Sequence, residues 1–66
     1  MINYSETELN EAKRQIASTV HKLKETVKTL EAKEQPQRYR SQITLAKRRI
    51  VAFTLALDLI EEKLMK

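Results

Sequence analysis

The feature that most constrains this chain is a pair of apolar heptad repeats separated by its only proline, Pro36. Alternating steps of three and four residues place apolar side chains along one side of a helix, as in helices that pack along a shared seam. No glycine interrupts either repeat. The sequence therefore predicts two long α-helices, one on each side of the proline. Their seam positions are Leu9, Ile16, Val20, Leu23, Val27 and Leu30 in the first, and Tyr39, Ile43, Ala46, Ile50, Phe53, Leu57, Ile60 and Leu64 in the second.

Local signals set the predicted boundaries of the two helices. Ser5 and Glu8 have the spacing of a capping box, in which each side chain satisfies a backbone N–H of the other residue. A residue that precedes proline, here Gln35, disfavours the helical conformation, whereas Pro36 suits the first turn of a new helix. We expect one helical-hairpin domain over residues 1–66, with helix 1 at about 6–34, a turn at about 35–36 and helix 2 at about 37–65.

The spacing of the two repeats predicts an antiparallel hairpin. If the chain folds back just after Pro36, the two repeats come into register layer by layer, from Leu30 opposite Ile43 to Leu9 opposite Leu64. The alternative is one continuous helix that is kinked at Pro36 and pairs with another chain. The matched lengths of the two repeats favour the hairpin, and therefore an all-α fold.

Lys13 is the only charged residue in this seam, where it faces Ile60. A lysine can lay its aliphatic stem along an apolar surface and keep its ammonium group in water. We expect the Lys13 ammonium to lie near Asp58 or Glu61, with a structural rather than a catalytic role.

Helix 2 carries a second apolar stripe outside the seam, whereas the outer side of helix 1 is polar. A lone hairpin would leave this stripe in water, and contiguous exposed apolar surface usually marks an interface. The simplest partner is a second copy, with helix 2 against helix 2 in a homodimeric four-helix bundle. The alternative partner is a helix of another protein, with this chain as its adaptor subunit. The predicted interface residues are Leu45, Ala52, Leu55, Ala56 and Leu59.

The net charge of +4 is concentrated at the start of helix 2, because residues 37–50 contain five basic residues and no acidic ones. Helix N-termini also favour anions, so this region is a candidate contact for phosphate groups. Two interpretations stay open: a small nucleic-acid-binding regulator, or a solvated basic face with ion pairs to Glu31 or Glu34. The candidate contact residues are Arg38, Arg40, Lys47, Arg48 and Arg49.

The chain lacks most of the residue types on which catalysis and metal or cofactor binding usually depend. The chain has no cysteine, no glycine and a single histidine, His21, which projects outward from helix 1. We therefore predict no catalytic residues, no metal ligands and no cofactor, and expect that the chain is not an enzyme.

Hydropathy and the N-terminal residues bear on location. The most apolar stretch, residues 50–60, has 11 residues, whereas a membrane-spanning helix needs about 20. The first residues lack the basic and apolar regions of a signal peptide. We expect a cytoplasmic protein without a membrane segment. The sequence thus predicts a homo-oligomeric helical interaction or structural module, and it leaves the biological role unassigned.

Overall fold

A computed structural model describes residues 3–65 as two antiparallel helices joined by a turn. Helix α1 spans Glu6–Glu31 and helix α2 spans Arg40–Leu64, with one turn of 3₁₀ helix at Pro36–Tyr39 between them. The predicted all-α hairpin is confirmed, and a continuous helix kinked at Pro36 is not what the chain forms. Residues 1, 2 and 66 of the predicted domain lie outside the described residues.

The start of α1 is fixed by the predicted capping box. The Ser5 hydroxyl accepts a hydrogen bond from the Glu8 backbone N–H at 3.1 Å, and the Glu8 carboxylate accepts one from the Ser5 backbone N–H at 3.1 Å. Two of the N–H groups that a helix start leaves without backbone partners are thereby satisfied. Helix α1 consequently begins at Glu6, where the sequence placed it.

The connection between the helices is longer than predicted. Helix α1 ends at Glu31 rather than at residue 34, and α2 begins at Arg40 rather than at residue 37. Packed helix axes lie about 8–10 Å apart, and a two-residue turn without glycine does not cross that gap easily. Gln35 lies outside the helical region, with φ −127° and ψ 74°, as expected before a proline. The chain therefore reverses over residues 32–39.

Two ion pairs between the helices mark the antiparallel register. Near the turn, the Lys47 ammonium lies 3.1 Å from the Glu31 carboxylate. Near the open end of the hairpin, the Lys13 ammonium lies 3.4 Å from the Glu61 carboxylate. The second pair confirms that Lys13 extends along the seam toward Glu61.

The seam between the helices is a thin core. Only Val20, Val27 and Ala46 are less than a tenth exposed, and the other seam side chains are half-buried. In the described part of the chain, no side chain is completely buried. The radius of gyration is 15.1 Å, against about 11 Å for a compact domain of this length. The hairpin is therefore a rod, 47 Å long and 15–18 Å thick.

Candidate interaction surfaces

The most distinctive surface of the hairpin is the side of α2 that points away from α1. We call it the outer face of α2. Its large apolar side chains are well exposed: 49% for Leu45, 70% for Val51, 61% for Leu55 and 57% for Leu59. Ala52 lies among them and is also exposed. Leu55 lies three residues after Ala52 and four residues from both Val51 and Leu59, and Leu45 lies seven residues before Ala52. These residues therefore form an apolar strip along one side of the helix.

The predicted interface residues fall on or beside this face. Four of them are exposed, and the fifth, Ala56, is half-buried at the border with the seam. Two apolar residues were missed by sequence reasoning: Val51 and Met65, the latter 86% exposed at the end of α2. Neither belongs to the seven-residue spacing of Leu45, Ala52 and Leu59. A signal that could have found them is their spacing from Leu55: Val51 lies four residues before it, as Leu59 lies four after, and Met65 lies ten after it, as Leu45 lies ten before.

The corresponding outer side of α1 is polar and makes its contacts within the helix. Gln15 donates a hydrogen bond to the Glu11 carboxylate at 2.8 Å, and Arg14 both donates to Glu11 and forms an ion pair with it. The hydrogen bond from Gln15, followed by the hydrogen bond and the charge of Arg14, lowers the pKa of Glu11 below its usual value. The α1 surface is therefore well solvated and presents no apolar strip.

The five candidate basic residues are distributed over different surfaces. Lys47 pairs with Glu31, as the interpretation of a solvated basic face expected. Arg40 and Arg48 line one shallow cleft, whereas Arg38 lines another cleft at the turn. Arg40 also lines a cleft with Lys47, and Arg49 is exposed on α2. The structure thus brings Arg40 close to Arg48 and to Lys47, whereas Arg38 lies in a separate cleft.

The described residues form neither a metal-binding cluster nor a membrane-spanning helix. Within residues 3–65, no group of three or more histidine, cysteine, aspartate or glutamate side chains is arranged to hold a metal ion. His21 is exposed on α1. Across the same residues, neither helix combines the length and the apolar character that crossing a membrane requires.

Comparison of the chain with known protein families, with curated proteins and with solved structures finds no match.

Proposed function

We propose that this chain is a non-enzymatic helical interaction module, and that it self-associates into a homodimeric four-helix bundle through the outer face of α2. The observation that carries the proposal is the exposed apolar strip, in which Val51, Leu55 and Leu59 are each more than half exposed. Each exposed large apolar side chain gains free energy when it leaves water, at about 25 cal/mol per Å² of apolar surface. A partner on this face supplies the burial that the thin seam does not.

The total surface area supports the same proposal. The hairpin exposes 5725 Å², whereas a compact monomer of 7.7 kDa is expected to expose about 4,300 Å². The excess is about 1,400 Å², and a standard protein interface buries about 800 Å² per partner. One interface of ordinary size would therefore remove more than half of this excess from each chain.

Nucleic-acid binding is the second candidate function, and one observation favours it. Among residues 3–65, the four arginines of the basic region form no ion pair with an acidic side chain. Arg40 and Arg48, together with Ser41 and Thr44, line a shallow cleft of a composition suited to phosphate groups. Such binding would weaken steeply as salt concentration rises, because each phosphate contact releases counterions.

The test is size-exclusion chromatography with light scattering over a range of protein concentrations, recorded at 260 and 280 nm. We expect a mass close to twice 7.7 kDa. The chain has two tyrosines and no tryptophan, so bound nucleic acid would dominate the absorbance. A signal at 260 nm that disappears at high salt would favour the second candidate, whereas a monomer at every concentration would contradict self-association.

A further inference from the structure

From the order of the residues on the outer face of α2, we infer how the two copies meet. The two α2 helices pack antiparallel, with the two-fold axis beside Leu55, and Arg48 of each copy pairs with Glu62 of the other. This inference rests on the proposed self-association and adds its direction and register. The partner it names is a second copy of this chain.

The exposed apolar residues of α2 are placed symmetrically in the sequence. Val51 and Leu59 each lie four residues from Leu55, and Leu45 and Met65 each lie ten residues from it. In an antiparallel pair of identical helices, residues equally distant from the axis come to the same level. An axis near Leu55 therefore sets Val51 of one copy at the level of Leu59 of the other, and Leu45 at the level of Met65.

Two charged residues on the same face have the same symmetry with opposite signs. Arg48 and Glu62 are both exposed, and each lies seven residues from Leu55. Seven residues are close to two helical turns, so the three side chains follow one line along α2. Reversing the second copy sets the Arg48 guanidinium near the Glu62 carboxylate twice, once at each end of the interface. A parallel arrangement sets Arg48 beside Arg48 and Glu62 beside Glu62, which like charges oppose.

The wider charge distribution of α2 favours the same direction. Residues 37–50 carry five basic side chains and no acidic ones, whereas residues 51–66 sum to a charge of −1. An antiparallel copy lays the acidic end of one α2 over the basic start of the other. A helix of unrelated sequence has no reason to require this self-complementary order, so the order favours a second copy as the occupant of the face.

The first experiment uses the absence of cysteine from the chain, which makes single-cysteine variants unambiguous. We would compare Leu55→Cys with Leu45→Cys and Leu59→Cys, using Lys24→Cys on α1 to measure random collision. Near the axis, identical positions approach within disulfide distance. Positions 45 and 59 lie about 12 Å or more from their equivalents. With oxidised glutathione, we expect cross-linking at position 55 to be roughly tenfold faster than at 45 and 59.

The outcomes separate this inference from the proposed function. Equal cross-linking at positions 45, 55 and 59, in a chain that light scattering shows to be dimeric, would establish a parallel dimer and overturn only the inferred direction and register. A dimer that cross-links at none of them, or only at position 45 or 59, would overturn it too. A chain that is monomeric at every concentration would overturn both proposals.

Charge reversal tests the register without cysteine. Arg48→Glu should weaken the dimer roughly tenfold, because it sets two carboxylates together at each end of the interface. The double variant Arg48→Glu with Glu62→Arg should recover most of that loss. Within one chain the two positions are about 21 Å apart, so recovery requires contact between copies. A double variant as weak as Arg48→Glu alone would contradict the proposed pairing, while far-UV circular dichroism confirms that each variant is helical.

Discussion

The outer faces of α1 and α2 differ in polarity, although the two helices share one seam and have nearly equal lengths. None of the exposed large apolar side chains of the described residues lies on α1, whereas α2 and its C-terminal cap carry five of them. The outer side of α1 satisfies its charges within the helix, as Glu11 does with Arg14 and Gln15. The difference shows that one side of each helix forms the seam, and that the outer face of α2 takes no part in it.

The substitution with the largest expected effect places a charge on the outer face of α2, so that this face resembles the outer side of α1. Leu59→Lys should reduce the association free energy by roughly 3 kcal/mol per dimer, because two partly exposed leucines lose their burial. Light scattering should then show a monomer at concentrations where the unaltered chain is dimeric. His21→Lys on α1 adds the same charge at an exposed position and should leave the mass unchanged. If Leu59→Lys left both mass and stability unchanged, the outer face of α2 would not be an interface.

The next effect falls on the seam that both helices share. Leu23→Ala should lower the free energy of unfolding by about 2 kcal/mol, at the lower end of the usual range for leucine truncation because Leu23 is only half-buried. Urea unfolding, followed by circular dichroism at a fixed protein concentration, measures the change. Leu23→Ala should differ from Leu59→Lys in keeping a dimeric mass at high concentration. A stability equal to that of the unaltered chain would place Leu23 outside the seam.

A smaller effect concerns the start of α1. Ser5→Ala removes the hydroxyl that caps the helix and should cost about 1 kcal/mol of stability. Ser18→Ala is the matched control, since Ser18 is exposed in the middle of α1 and alanine is the better helix former there. The same urea titration should show a loss for the first variant and none for the second. Equal midpoints for the two would mean that the capping box does not stabilise α1.

The smallest effect is a pH dependence on the outer side of α1. Because the folded chain lowers the pKa of Glu11, this residue stabilises the fold above its ordinary pKa, and the contribution is lost as pH falls through the folded value. Stability should therefore fall less between pH 6 and pH 3 in Glu11→Gln than in the unaltered chain. Glu25→Gln, at another exposed position of α1, should behave like the unaltered chain. A pH profile unchanged by Glu11→Gln would remove this contribution.

Much of the fold followed from the sequence because a heptad repeat fixes which side of a helix is covered. The seam positions, the capping box at Ser5 and the placement of the Lys13 ammonium near Asp58 or Glu61 were all predicted, and the structure pairs it with Glu61. The turn was placed correctly at Pro36 but made too short, since residue spacing does not encode the distance between helix axes. Val51 was missed because it lies outside the seven-residue spacing of Leu45, Ala52 and Leu59. Oligomeric state and ligands depend on a second molecule, so they stay predictions.

The order in which the seam layers follow one another has a consequence for how the chain folds. Counting outward from Pro36, each layer pairs residues that flank the residues of the layer before it. Once one layer has formed, the next layer closes a loop of only a few additional residues. Closing a short loop costs less conformational entropy than closing a long one, and local contacts of this kind favour rapid folding. We expect the hairpin to close like a zipper from its turn. The capping box at Ser5 then secures the end that forms last and opens first.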